Sequence, residues 1–146
     1  MKIWIRTTAT RGSHVIEFVI IAPAVLLIIG VMIVGGHVYY AHQKVEHAAA
    51  EAARAASIAR PGAAAAPAAE QAAVADMTAQ GLVCTDRRIN TDVAAFSTDP
   101  GTPGTVSVTI TCTVDLNVLA IPGISGSRTI THTAISPVDT YRERIR

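Results

Sequence analysis

Apolar side chains follow three different patterns along the chain, and the first is an unbroken run. From Phe18 to Gly36, 19 consecutive residues carry no charge and most are aliphatic. As an α-helix this run is about 29 Å long, close to the roughly 30 Å hydrocarbon core of a bilayer. Tyr39 and Tyr40 follow it, as aromatic residues do at a membrane boundary. We therefore predict one transmembrane helix at residues 13–40.

The second pattern is a long alanine-rich stretch at residues 41–81. Alanine is the strongest helix former, so the helix is expected to continue to about Ala59, where Arg60-Pro61-Gly62 supplies a stop. An Ala/Pro linker follows. A second, shorter helix is predicted from Pro67 to Gln80, with Gly81 at its end.

The third pattern is an alternation of apolar and polar residues in region 82–146. It is clearest in TVSVTITCTV at residues 105–114, where every second side chain is apolar. Further strands are predicted at residues 82–90 and 127–135, with turns at 99–105 and 121–126. The fold class is therefore α+β: a transmembrane helix continues into a long Ala-rich helix, and a small antiparallel β-sheet covers that helix.

Charge predicts the orientation of the membrane helix. Residues 1–12 contain Lys2, Arg6 and Arg11 and no acid, whereas the cations beyond the helix are mixed with acids. The positive-inside rule places the N-terminus in the cytoplasm and the rest outside. A cleaved secretory signal peptide is the alternative, although its apolar core would be shorter, about 7 to 15 residues.

Glu17 is an unexpected acid at the start of the apolar run. The order Gly12, four residues, Glu17 and Phe18 resembles the substrate signature of prepilin peptidase. This resemblance implies cleavage between Gly12 and Ser13, removal of leader 1–12, and an acid at the fifth mature position. That acid lies about one helical turn from the new amine of Ser13, where it can pair with the amine of its own or a neighbouring subunit. An acid that contacts only water and lipid headgroups is the alternative.

The resemblance extends beyond the leader. Residues 11–60 resemble the N-terminal part of TadE-like proteins, which are minor pilin-like components of the tight adherence (Flp pilus) machinery. The matching features are IEF ending at Phe18, AP at Ala22 and Pro23, Gly35 and Gly36, Tyr39 and Tyr40, and EAAR from Glu51 to Arg54. The resemblance implies a pilin-like fold, and the sequence itself gives no reason to expect a cofactor. The resemblance also implies a set of partners: prepilin peptidase, the major Flp pilin, other minor pilin-like proteins, the membrane platform of the assembly machinery, and the lipid bilayer.

The two cysteines, Cys84 and Cys112, form an even pair on predicted strands. Both lie in the part of the chain that we place outside the cytoplasm, where disulfides persist. We expect a disulfide between them. Two buried free thiols are the alternative.

Other chemistry finds little support in the sequence. His42 and Glu46 share a helix face but lack a full ligand set, and His132 lies among threonines without an obvious acid partner, so we expect neither a metal site nor catalytic residues. The formal net charge is +1. Without the three cations of residues 1–12, nine basic and 11 acidic side chains remain, which argues against nucleic-acid binding.

Three functional classes follow from these observations. The first is a structural minor pilin-like (pseudopilin) subunit of a Flp-type pilus, used in tight adherence or related secretion. The second is a stationary single-pass membrane protein whose outer domain binds the same machinery without entering a filament. The third is an anchored enzyme, which would need a catalytic constellation that the sequence does not show.

Overall fold

The structure is a computed structural model that describes residues 13–99, 101–117 and 125–140. The predicted leader 1–12, with the cleavage residue Gly12, lies outside the described residues, as do most of the predicted turn at 121–126 and the C-terminal end of the β-rich region. The chain divides into two compact units, with the boundary between Gly35 and Gly36.

Within the described ranges, two helices precede a three-stranded antiparallel sheet, which confirms the predicted α+β class. The helices are α1 (Ser13–Ile58) and α2 (Ala65–Ala79), and the strands are β1 (Asp86–Asp92), β2 (Gly104–Asp115) and β3 (Ser127–Val138). A short 3₁₀ turn at Gly62–Ala64 lies between α1 and α2, and another at Ala94–Ser97 lies between β1 and β2. The sheet order is β1-β2-β3, so each strand pairs with its neighbour in sequence.

The first part of α1 exposes apolar side chains on every side. Residues 18–21, 25–29 and 31–33 are all exposed, and at 100° per residue these consecutive positions cover the whole circumference of the helix. Phe18 is 71% exposed and Met32 is 70% exposed. Such a helix needs an apolar environment that the first unit of the chain does not provide.

The second part of α1 buries a single stripe. Buried positions recur every three or four residues, as a helix with one covered face requires, and they are Ala41, Val45, Ala48, Ala49, Ala52, Ala53 and Ala56. Because alanine has no side chain beyond Cβ, the neighbouring elements can approach the helix axis closely. The stripe belongs to the same hydrophobic cluster as α2 and the sheet.

Helix α2 lies against this cluster through Ala65, Ala69, Ala73 and Met77. Its C-terminus has the hydrogen bonds of a Schellman motif: the Gly81 N–H donates to the Thr78 carbonyl (3.0 Å) and the Leu82 N–H donates to the Met77 carbonyl (2.9 Å). The motif needs a residue in the left-handed region, and Gly81 supplies it with a φ of 63°. Gly81 thus ends the helix near the predicted position.

Strand β2 forms the centre of the sheet and has two chemically different faces. Its buried side chains are Val106, Val108, Ile110, Cys112 and Val114, which confirms the predicted alternation. On the opposite face, threonines of β2 pair with threonines of β3 across the register; for example, Thr109 Oγ1 and Thr133 Oγ1 are 2.8 Å apart. The apolar face covers the Ala-rich helices, and the polar face points away from them.

The structure contains a disulfide between Cys84 and Cys112, whose Cα atoms are 5.4 Å apart. The predicted strand at 82–90 is corrected at its start, because β1 begins only at Asp86 and Cys84 lies in the connection before it. The Thr85 N–H nevertheless donates to the Thr113 carbonyl at 2.8 Å, which holds this connection beside β2. The bridge therefore joins the connection between α2 and β1 to the central strand.

Candidate functional site

The most distinctive surface of the chain is the exposed apolar segment of α1. It is long and apolar enough to cross a membrane. Its mean hydropathy is 2.9 over a stretch of 18 residues, and none of that stretch is buried within the protein. A helix that is apolar all round is typical of a membrane span. Among the residues that the structure describes, α1 is the one helix of this kind, which fits a single-pass membrane protein.

Glu17 lies at the N-terminal edge of this segment. Helix α1 begins at Ser13, so Glu17 follows that residue by four positions, or about one turn. Phe18, the other residue predicted to act in assembly, begins the exposed apolar surface. The helix geometry thus has the spacing that pairing between an amine on Ser13 and the Glu17 carboxylate would need.

A polar contact joins the second part of α1 to α2. His47 Nδ1 lies 3.1 Å from both carboxylate oxygens of Asp76, and the Gln80 amide donates to the same carboxylate. The hydrogen bond to Asp76 and the attraction of its charge raise the pKa of His47, and Glu51 adds to this effect. The sequence did not indicate this contact, because His47 and Asp76 are 29 positions apart.

We expect the contribution of His47 to stability to decrease as the pH rises. A histidine whose pKa is higher in the folded than in the unfolded state stabilises the folded state. This contribution is fully present at a pH below the unfolded-state pKa of about 6.5, and it is lost as the pH rises through the higher folded-state pKa. The thermal midpoint of wild type should therefore exceed that of Asp76→Asn at pH 5.5, and the difference should narrow by pH 8.5. If the two thermal midpoints differ by the same amount at pH 5.5 and pH 8.5, the raised pKa of His47 does not contribute to stability as proposed. Glu70→Gln is the control, because Glu70 is an exposed acid on the same helix as Asp76.

Three further polar side chains meet between α1 and β3. His42 and Glu46 lie one turn apart on α1, and His132 is on β3; their possible ligand atoms all lie within 4.8 Å of one another. The rings of His42 and His132 are nearly perpendicular, with centroids 6.1 Å apart. The sequence suggested neither a full ligand set nor an acid partner for His132, and the structure differs because the docking of β3 on α1 supplies the missing neighbour.

The comparisons with known proteins agree with the resemblance drawn from the sequence. Residues 12–54 match the family model described as TadE-like protein, which confirms that resemblance over the membrane helix and the start of the Ala-rich segment. The comparisons with curated proteins and with solved structures gave no match. The family match ends before α2 and the sheet.

Proposed function

We propose that this protein is a structural, non-enzymatic minor pilin-like subunit of a Flp-type pilus, acting in tight adherence or related secretion. The observation that carries the proposal is the coincidence of two features in one segment. The TadE-like match covers residues 12–54, and the fully exposed apolar part of α1 lies within it. The match associates the chain with the tight adherence system, and the exposed helix gives a physical means of assembly.

The exposed apolar side chains explain how such a subunit could be held in two environments. In the membrane, lipid tails cover residues 18–33. In an assembly, the same surface would be covered by the equivalent helices of neighbouring subunits, because packed helices can replace lipid contacts at little cost. The same surface thus serves both storage in the membrane and packing into a bundle.

The second part of α1 serves a different role. Its buried alanine stripe fixes the sheet and α2 to the helix, and the disulfide strengthens this unit. We place this unit outside the cytoplasm, in agreement with the cationic leader and the disulfide, and the N-terminus inside. The proposed partners are prepilin peptidase at the leader, the major Flp pilin and other minor pilin-like proteins along the helix, and the membrane platform.

The mature N-terminus is the decisive measurement. Mass spectrometry of the membrane-isolated protein should find Ser13 as the first residue, and Gly12→Leu should leave the full-length form in the membrane. Ala9→Leu, a similar increase in size within the leader, should be processed normally. An intact Met1 terminus in cells with an active peptidase would overturn the processing step.

The location of the protein distinguishes a filament subunit from a membrane protein that binds the machinery without entering the filament. A filament subunit should appear in the filament fraction sheared from intact cells, together with the major pilin. A stationary protein should remain in the membrane fraction whatever the state of its leader. Immunoblots of both fractions, with an unrelated membrane protein as the contamination control, distinguish the two functions.

A further inference from the structure

His42, Glu46 and His132 form a cluster with the composition of a metal site. Two neutral imidazoles and one carboxylate suit Zn²⁺ and similar transition metals, whereas Mg²⁺ and Ca²⁺ prefer oxygen ligands alone. Three protein ligands, with water in the fourth position, hold zinc in the open sites known from catalytic zinc centres, whereas closed structural sites have four protein ligands. The geometry points to a divalent transition-metal site, with Zn²⁺ as its expected ion, that ties β3 to α1.

The two helix ligands are presented together by the backbone. His42 and Glu46 are four residues apart, so their side chains lie on one face of α1, one above the other. Both are exposed and keep rotamer freedom, whereas their helix positions are fixed by the buried neighbours Ala41 and Val45. A metal ion can therefore draw these side chains inward without moving the helix.

The third ligand comes from the inward side of an edge strand. His132 is half-buried and lies on the same face of β3 as Ile130 and Ala134. Ile130 belongs to the hydrophobic core, and Ala134 packs against it. A histidine at such a position is unusual, since the strand otherwise places apolar or small side chains there. Its 90-residue separation from His42 means that only the folded chain brings the ligands together.

The distances allow coordination after a small adjustment. Zinc binds nitrogen at about 2.0–2.1 Å, so two ligand atoms of a tetrahedral site lie roughly 3.4 Å apart. The three ligand atoms already lie within 4.8 Å of one another. Rotation of the exposed His42 and Glu46 side chains, which occurs on the picosecond to nanosecond scale, can close the difference.

The proposed ion would strengthen a contact that the fold already makes. The Ser136 hydroxyl donates to the Ser57 hydroxyl at 3.0 Å, which joins β3 to α1 near the C-terminal end of the helix. The metal would join the same two elements near Tyr39 and Tyr40, the predicted membrane boundary. Because the ligand set exists only in the folded state, binding should stabilise the fold.

Metal titration of the full-length chain tests the site. The protein would be purified in detergent with an affinity tag that contains no histidine, and then freed of metal with a chelator. Titration with ZnCl₂ should show one equivalent bound per chain. Co²⁺ in its place should give the intense visible absorption of a tetrahedral complex, and saturating Zn²⁺ should raise the thermal midpoint.

Four variants make the test specific. His132→Gln and Glu46→Gln should each weaken Zn²⁺ binding at least about tenfold, since even loss of a group that only supports a ligand costs 10- to 100-fold. His37→Gln and Glu70→Gln remove a histidine and an acid outside the cluster and should bind as wild type does. Glu46 is exposed on a helix, so its variant keeps the test valid if His132→Gln folds poorly. Absence of saturable binding, or equal affinity in wild type and Glu46→Gln, would overturn the site.

Discussion

Replacing both Cys84 and Cys112 with alanine should lower the free energy of unfolding of the second unit, which begins at Gly36, by about 2–5 kcal/mol. The bridge joins residues 28 positions apart and restricts the unfolded chain, which in the chain-entropy description stabilises the fold by roughly 3.5 kcal/mol for a loop of this length. The stabilisation by the disulfide is important because the hydrophobic core is rich in alanine. Much of the core is alanine, which removes little apolar area from water per residue, so hydrophobic burial supplies less stability here than it would in a core of leucine.

Urea unfolding followed by pulse proteolysis of the full-length chain in detergent measures this effect. Reductant added to wild type is the matched control, because it cuts the bond and leaves both side chains in place. The reduced wild type and the double variant should lose comparable stability, with a small extra loss in the variant because Cys112 is fully buried. An unchanged unfolding midpoint after both treatments would contradict the prediction. Before reduction, neither Cys84 nor Cys112 should react with an alkylating reagent, because both are held in the disulfide.

The helices and the central strand were predictable because local sequence decides them. The predicted end of the long helix at Ala59 is one residue beyond its observed end at Ile58, since the proline and glycine that follow cannot continue it. The alternation in β2 predicted which of its side chains are buried, because a strand places alternate residues on opposite faces. Periodicity and helix-breaking residues are sufficient for such elements.

The elements that the sequence did not predict depend on distant contacts. The 3₁₀ turn Ala94–Ser97 has no periodic pattern, and it packs so closely on Gly62 and Gly104 that a Cβ added at either glycine would come within 3 Å of it. Strand β1 is polar over most of its length, so alternation could not mark its start. Pairing with β2 determines this boundary, and that pairing is set by the tertiary fold.

The polar clusters between elements were missed for the same reason. His47 and Asp76 meet only because α2 folds back on α1, and His132 reaches Glu46 only because β3 is an edge strand packed on that helix. Each of these residues is common on a solvated surface when considered alone. The signal that could have been used is the placement of His132 at an inward-facing position of its strand, where an apolar residue is expected.

Removal of the charge at position 17 should abolish piliation while leaving the protein in the membrane. Within the proposed function, Glu17 lies beside hydrocarbon, where a carboxylate costs up to about 2.5–3.5 kcal/mol at mid-membrane and less near the interface. Pairing with the amine of Ser13 on its own or a neighbouring subunit offsets this cost when the helices leave lipid and pack together. The pairing is therefore expected to matter at assembly and not at insertion.

Glu17→Ala and Glu17→Gln separate the role of the charge from that of the shape. Both variants should be cleaved after Gly12, because peptidase recognition centres on that glycine, and both should remain folded and membrane-resident. Neither should support filaments, since the glutamine keeps the shape of the side chain but not its charge. Glu70→Gln, which removes an exposed acid outside the membrane segment, should assemble normally. Filaments are counted on cells carrying each variant, and the processing state is checked on the same samples. Normal piliation with either Glu17 variant would mean that the acid has no part in assembly.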